Sequence, residues 1–181
     1  MPNTNLSCAI TQLSATPNSV TSGSNVEISI AFSDHSCRIE PGDSIQVQWP
    51  STGTAYLDAY NQTFPLIDNA SHLILARVVV DNDHATITFT PDIVKLQNIS
   101  GDVKFKAVAW NVTEGTEENR QTINIQSGDK SVPITIIKPQ STNQPGEFYS
   151  KTGAIWPNEQ GIFIGILIPI HVAKVFNLLL L

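Results

Sequence analysis

The stretch VEISIAFS, residues 26–33, alternates apolar with small or polar residues. In an extended chain Val26, Ile28, Ile30 and Phe32 would share one face, and the residues between them would share the other. An amphipathic helix would instead repeat its apolar residues every three or four positions. The stretch therefore predicts a β-strand with one buried face.

The same alternation recurs on both sides of this stretch, between clusters of turn residues. It predicts seven or eight strands from residue 8 to about residue 138, a short helical turn near residues 94–98 and an intervening loop over residues 51–64. Trp49 and Trp110 are expected to be core aromatic residues. This is the pattern of an all-β antiparallel sandwich. The strands are predicted at 8–15, 26–33, 45–49, 85–89, 103–110, 121–125 and 132–137.

Composition agrees with a strand-rich domain and limits the partners. Of the 181 residues, 41% are hydrophobic and only 14% are charged. The length accommodates one sandwich with a remnant. A net charge of −6 argues against nucleic acid and anionic membrane surfaces as partners, because both attract clustered Lys and Arg.

The chain is expected to divide near residue 138. A subdomain over residues 5–138 is followed by a linker, residues 139–147, which lies in a proline-containing stretch without large apolar side chains. Residues 148–181 then give the opening strand of a truncated second subdomain and an atypical apolar tail from Gly161. The linker residues singled out are Lys138, Pro139, Gln144, Pro145 and Gly146.

Three interpretations of the apolar tail remain open. It is a membrane span, a buried strand of the second subdomain, or a non-native terminus that packs opportunistically. Pro169, His171 and Lys174 interrupt the run, which argues against the span because about 20 apolar residues are needed to cross a bilayer. The chain opens without a basic and apolar leader, so a secretion signal is expected to be absent or already removed.

The two cysteines, Cys8 and Cys37, are too few for a zinc site and leave either a disulfide or two free thiols. If residues 8–15 and 26–33 form an antiparallel hairpin, Cys37 falls within reach of Cys8. The pairing predicts a disulfide, which requires the two Cα atoms to lie within about 7 Å of each other.

No constellation in the sequence indicates an enzyme or a cofactor. The four histidines have no Ser or Cys partner in a nucleophile turn. Asp81, Asp83 and His84 could hold a cation, but Ala85 breaks the calcium-loop spacing, so a solvated hairpin turn is expected. Tyr56 and Tyr60 are candidate exposed aromatic anchors for a protein ligand, the alternative being a loop packed over the end of the sandwich.

Seven motifs in register resemble the first immunoglobulin-like subdomain of the collagen adhesins, surface proteins of Gram-positive cocci. The resemblance spans about residues 5–155 and ends after Trp156. The motifs are TPNSVTSG (16–23), IEPGDSIQVQWP (39–50), ATITF (85–89), LQNISG (96–101), WNVT (110–113), IQSG (125–128) and FYSKTG (148–153).

This resemblance implies a Greek-key sandwich of the DEv-IgG type and a non-enzymatic adhesin module of the bacterial cell surface, anchored to the cell wall in the parent protein. Two such subdomains close around collagen or another extracellular-matrix protein, and a strand from the second adds to a sheet of the first. The main collagen-contacting trench lies on the second subdomain, so this chain alone is expected to bind collagen weakly or not at all. A pilin-like stalk is the alternative, with an isopeptide bond between Lys104 or Lys106 and Asn124.

The sheet edge that receives the added strand is predicted at residues 85–90, where Pro91 would end the ladder. The other possibility is that this strand is paired on both sides. A vacant edge and the apolar tail together would also favour self-association. The residues of the predicted edge are Ala85, Thr86, Ile87, Thr88, Phe89 and Thr90.

Overall fold

The computed structural model describes residues 1–141, 148–150 and 167–169, with side chains in the first of these ranges. The chain divides into two compact units, Met1–Gln140 and Ser141–Leu181. In the second unit, the described backbone forms two short antiparallel strands, Phe148–Ser150 and Leu167–Pro169. None of the helices among the described residues is long and apolar enough to cross a membrane. Gln144, Pro145, Gly146 and nearly all of the apolar tail lie outside the described residues.

The first unit is a sandwich of two sheets, which confirms the predicted all-β immunoglobulin-like fold. Eleven strands build it, more than the seven or eight predicted. The first sheet contains, in spatial order, β1 (Ile10–Thr16), β3 (Ser24–Ser33), β9 (Ser100–Asn111) and β5 (Ala55–Ala59).

The second sheet has seven strands. Its spatial order is β2 (Ser19–Thr21), β11 (Lys130–Lys138), β10 (Asn119–Ser127), β4 (Ser44–Gln48), β8 (His84–Phe89), β7 (Ile74–Val80) and β6 (Gln62–Ile67). The first two strands in its spatial order, β2 and β11, pair in parallel. The predicted helical turn is a 3-10 helix one turn earlier, at Pro91–Lys95.

The core lies between the two sheets and follows the predicted alternation. Val26, Ile28 and Ile30 of β3 are fully buried, and Phe32 meets Phe89 of the facing sheet edge-to-face at 5.3 Å between ring centroids. Trp49 is also buried, as predicted, and packs against Phe105. This inter-sheet packing of alternate side chains stabilises the sandwich through apolar burial.

Four strands lie where the sequence analysis placed none, and the shortest of them is β2. Residues 51–64 were predicted as a loop, but β5 and the start of β6 lie within them. β7 was missed because its sequence, ILARVVV, is nearly continuously apolar and has no period of two. Pro65 sits inside β6, which is tolerated because β6 is an edge strand paired only with β7.

A disulfide joins Cys8 and Cys37, with 6.0 Å between their Cα atoms. The predicted hairpin underlies it: β1 pairs antiparallel with β3, and Ile10 lies opposite Phe32. The bond ties the N-terminal segment to the loop between β3 and β4. That segment also extends along β4, since Ser44 donates its N–H to Asn3 O and Leu6 donates to Ser44 O.

We predict that the double variant Cys8→Ser, Cys37→Ser lowers the free energy of unfolding by about 3–4 kcal/mol, because the bond closes a long loop in the unfolded chain. The two cysteines that the bond joins are separated by 29 positions in the sequence. Urea unfolding of the variant and of the wild type, each with and without dithiothreitol, provides the measurement. The reductant should lower wild-type stability and leave the variant unchanged; equal stability of oxidised wild type and variant would contradict the prediction.

Candidate functional site: a free strand edge and the linker end of the sandwich

The strand predicted at a sheet edge is in fact interior. β8 pairs with β4 on one side and with β7 on the other, so Ala85, Thr86, Ile87, Thr88 and Phe89 offer no free backbone edge. The predicted alternation is correct, since Ala85, Ile87 and Phe89 are buried and Thr88 is exposed. Thr90 follows the strand and its hydroxyl accepts the N–H of Asp92. The edge prediction is wrong because it lacked β7, the strand that covers β8.

A free edge lies instead on β9. This strand has twelve residues, and β3 pairs with it from Ser100 to Ala109. β5 pairs only with the other end, from Ala107 to Asn111. Residues 100–106, called here the β9 edge, therefore have a paired side and an open side.

The direction of the backbone groups along the β9 edge follows from two hydrogen bonds. Asp34 donates its N–H to Ile99 O at 2.9 Å, and Val112 donates its N–H to Thr54 O at 2.8 Å. Because neighbouring residues of an antiparallel strand turn their polar groups to opposite sides, odd-numbered residues of β9 face β3 and even-numbered residues face β5. Past the end of β5, the even-numbered residues have no backbone hydrogen bond across this side within the described part of the chain. They are Ser100, Asp102, Lys104 and Lys106.

A groove of about 330 Å³ opens beside the start of the β9 edge. The turn between β6 and β7 forms one wall, and the segment before β9 forms another. Several apolar side chains line it, including Leu66, Leu75 and Ile99, together with Ile67, which is 52% exposed. At about 3.3 Å per residue, the seven-residue edge is roughly 23 Å long. The arrangement has the length and lining that an added strand with apolar side chains on one face requires.

Outward-facing charges accompany the free edge. Asp102, Lys104 and Lys106 are exposed on the outer face of the first sheet. Asn124 is exposed on the second sheet, so the sandwich core separates it from both lysines. The isopeptide pairing considered for a stalk domain is therefore wrong, because its two partners do not meet.

A groove of about 700 Å³ lies where the second sheet splits between β4 and β10. These strands pair only at Gln126 and Gln48, and the groove beyond that point is lined by polar side chains that include Gln46 and Asn124. Asn5 and Ser127 fill the other end of the split, where Ser127 Oγ donates to Gln46 O at 2.6 Å. Trp49, Pro50 and Ile123 add apolar side chains to the lining of this groove.

The acidic turn between β7 and β8 is a hydrogen-bonded cluster beside that polar groove. His84 Nδ1 lies 2.6 Å from Asp83 Oδ1, and His84 Nε2 lies 3.4 Å from Asp81 Oδ2. The hydrogen bond from the His84 side chain lowers the pKa of the exposed Asp83 carboxyl. Among the residues that the structure describes, no group of three or more His, Cys, Asp or Glu side chains could hold a metal ion.

Ser33 and His35 form the type of contact that a nucleophile and its base would make, with 2.6 Å between Ser33 Oγ and His35 Nδ1. Ser33 is only 6% exposed, and its hydroxyl also accepts the backbone N–H of His35. The neighbouring Asp34 carboxylate is engaged by the N–H of Ile99. The three residues thus close a local turn and present no open nucleophile.

Exposed aromatic side chains occur on the outer face of the first sheet. Tyr56, predicted in a loop, lies on β5 and is half-buried, directly opposite Trp110 of β9. Tyr60 follows β5 and is 65% exposed. Trp110 was predicted in the core but is 37% exposed, because it shares the parity of Lys104 and Lys106 and not that of buried Phe105.

The end of β11, where the predicted linker begins, lies at the end of the sandwich that holds Asn111. Lys138, predicted as its first residue, is the last residue of β11, and its ammonium donates to Thr113 O and to Gly115 O. Buried Asn111 holds the same end together, since its Nδ2 donates to Ile136 O and to Asn119 O. Pro139 follows β11 and is exposed. Sequence reasoning missed Asn111, whose type alone does not distinguish a buried connector from a turn residue.

Comparison with known proteins gives the family. Residues 19–121 match the family described as bacterial Ig domain. The chain is 31% identical over 150 residues to the collagen adhesin of Staphylococcus aureus, a match that covers 83% of this chain and 12% of that protein.

Comparison with solved structures also finds adhesins. The crystal structure of the Staphylococcus aureus collagen adhesin superposes with a TM-score of 0.68 at 28% identity, over 82% of this chain and 48% of that one. The collagen-binding domain of the Erysipelothrix rhusiopathiae surface protein RspB shares the fold, with a TM-score of 0.61 at 21% identity over 79% and 48% of the two chains. The chain thus spans about half the length of these structures. It is similar to collagen adhesins, and it belongs to the bacterial Ig domain family.

Proposed function

We propose that this chain is the first of two immunoglobulin-like subdomains in the ligand-binding region of a bacterial cell-surface adhesin. It works without catalysis, and its ligand is collagen or another extracellular-matrix protein. The observation that carries the proposal is the β9 edge, which is free among the described residues and is bordered by a groove with both apolar and polar side chains. Similarity to the Staphylococcus aureus collagen adhesin supports the class of ligand.

The β9 edge receives a strand from the second subdomain. Ser100, Asp102, Lys104 and Lys106 each direct one N–H and one C=O to the open side, so an incoming strand gains main-chain hydrogen bonds along the whole edge. Its alternate apolar side chains would enter the groove beside Leu66, Ile67 and Leu75. A strand that adds in this way fastens the two subdomains together after they have closed around the ligand.

Because the proposed function divides the work between two subdomains, we expect a single subdomain to bind weakly. A fibrous ligand is held by two surfaces and by the strand that fastens them, so the contact with one subdomain alone is small and transient. The stalk alternative has no specific support, because its isopeptide partners face away from each other on different sheets. The location is the bacterial cell surface, as for the adhesins that the chain resembles.

We predict that the amides of Asp102, Lys104 and Lys106 exchange with solvent at least about a hundredfold faster than those of Val103, Phe105 and Ala107, since only the odd-numbered amides are bonded to β3. Hydrogen exchange followed by NMR on the 181-residue chain resolves these six amides. Protection of both sets would mean that the β9 edge is already occupied and cannot receive another strand.

A chimera provides the test of function. Residues 1–147 replace the first subdomain of the Staphylococcus aureus collagen adhesin, and dissociation from immobilised collagen is measured by surface plasmon resonance. We expect the chimera to bind, and the variant Lys104→Pro to dissociate about tenfold faster, because proline removes an N–H that faces the open edge and its ring obstructs the added strand.

Lys104→Ala is the matched control for this test, since it removes the same side chain and keeps the N–H. It should dissociate at the rate of the unsubstituted chimera. Equal dissociation of the proline and alanine variants would show that no strand adds at the β9 edge. Loss of collagen binding by the unsubstituted, folded chimera, or submicromolar affinity of the 181-residue chain alone, would contradict the proposed division of labour.

A further inference from the structure

Trp110 and Tyr56 form an exposed aromatic pair that the core of the sandwich does not explain. They lie directly opposite each other on β9 and β5, with Trp110 37% exposed and Tyr56 half-buried on the outer face of the first sheet. Val112, two residues beyond Trp110, is 51% exposed. The outer face of an edge pair is ordinarily polar in an antiparallel sandwich, so a tryptophan there is unusual.

The backbone beneath the pair is fixed. Ala109 and Asn111 flank Trp110 and are buried, and the Asn111 side chain bonds to Ile136 O at 3.0 Å and to Thr113 Oγ1 at 2.7 Å. The indole ring covers Gly23, where a Cβ would lie 3.6 Å from it. A ligand would therefore meet rings that are already positioned, which lowers the entropic cost of binding.

We propose that the Trp110–Tyr56 pair is the contact that this subdomain makes with its ligand, and that the ligand surface it takes is proline-rich and extended, as in a collagen triple helix. This inference rests on the proposed function. Exposed aromatic rings are the usual partners of polyproline-type chains, whose proline rings stack on them without needing a charge. The nearest outward neighbours along the two strands are Val108, Val112 and one acid, Asp58.

The position of the pair supports this ligand. Lys138 is the end of β11, and its ammonium binds the carbonyls of Thr113 and Gly115, a few residues beyond Trp110 on the same chain. The aromatic pair thus lies at the end of the sandwich where the chain leaves toward residue 141. In the proposed adhesin the second subdomain follows in the chain from this end, so a ligand that contacts both subdomains would lie near it.

The competing explanation for the position of Trp110 is that its ring covers a glycine of the same fold. An aromatic ring over a glycine stabilises a fold without any ligand. That explanation accounts for Trp110 over Gly23, which lies in the turn between β2 and β3, but it does not account for Tyr56 on the neighbouring strand β5 or for the exposed Val112. The two explanations differ in what a soluble ligand does to the indole.

The experiment titrates the ¹⁵N-labelled 181-residue chain with a triple-helical (Pro-Pro-Gly)₁₀ peptide at millimolar concentration. We expect the indole N–H of Trp110 and the amide of Tyr56 to shift with saturation, while the indole N–H of Trp49, which donates to Asn82 O inside the fold, stays in place. Trp110→Ala should weaken binding about five- to tenfold, the loss typical of one aromatic contact. Val94→Ala, which removes an exposed apolar side chain from a distant turn, should leave affinity unchanged.

Wild-type shifts confined to other surfaces, or an absence of any shift, would overturn the aromatic contact even if Trp110→Ala proves too unstable to study. So would equal affinity of a folded Trp110→Ala variant. These failures are separate from failure of the proposed function, because collagen binding by the chimera of residues 1–147 is measured independently. If the chimera binds collagen but the Trp110 signal does not shift, the proposed adhesin function stands and only the Trp110 contact is refuted.

Discussion

The antiparallel ladder between β3 and β9 fixes the rest of the sandwich. It runs through ten residue pairs, from Ser24 opposite Ala109 to Ser33 opposite Ser100. Gly101 lies within it, and a Cβ there would come within 2.8 Å of the Phe32 ring. The absence of that Cβ lets Phe32 cross over β9 and meet Phe89 of the second sheet, so one glycine serves both the ladder and the packing between sheets.

The length of this ladder also creates the free edge. β9 has to be twelve residues long to cover β3, whereas β5 covers five of its residues before the chain leaves for the other sheet as β6. The mismatch leaves even-numbered backbone groups without a neighbour at residues 100–106. The feature that we propose as functional is therefore a consequence of the difference in length between β9 and β5.

Sequence reasoning was sufficient where apolar residues alternate with polar or small ones and insufficient at β7, where they do not. The alternation at residues 26–33 and 103–110 predicted strands that the structure contains, and the predicted hairpin of residues 8–15 with residues 26–33 brought Cys8 near Cys37. β7 buries one face, with Ala76, Val78 and Val80 inward, but apolar Val79 stands at an outward position, so its sequence does not alternate. Its absence from the prediction turned interior β8 into an apparent edge. Whether a strand lies at the edge of a sheet depends on which strands pair with it. That pairing depends on contacts between residues far apart in sequence.

Trp110 shows the same limit at the level of one side chain. Its strand was predicted, but the predicted core role ignored the parity that places it beside Lys104 and Lys106 and opposite in direction to Phe105. Applied strictly, the period of two would have found this exposed tryptophan from sequence alone. The buried Asn111 next to it could not have been found that way, because its partners Asn119 and Ile136 come from other strands.

The two proposed surfaces on β9 recognise different things, and this difference constrains how such a domain can change its ligand. Backbone groups at residues 100–106 bond to any extended chain, so the strand that adds there is selected by its apolar pattern and by the groove beside it. The outward lysines, Lys104 and Lys106, disfavour pairing with a second copy, since like charges would then face each other across the new ladder. Selection of the ligand falls to side chains such as Trp110 and Tyr56, which point away from the core and whose replacement leaves the β3–β9 ladder intact. A domain of this type can therefore exchange its ligand contact while keeping the edge that fastens it.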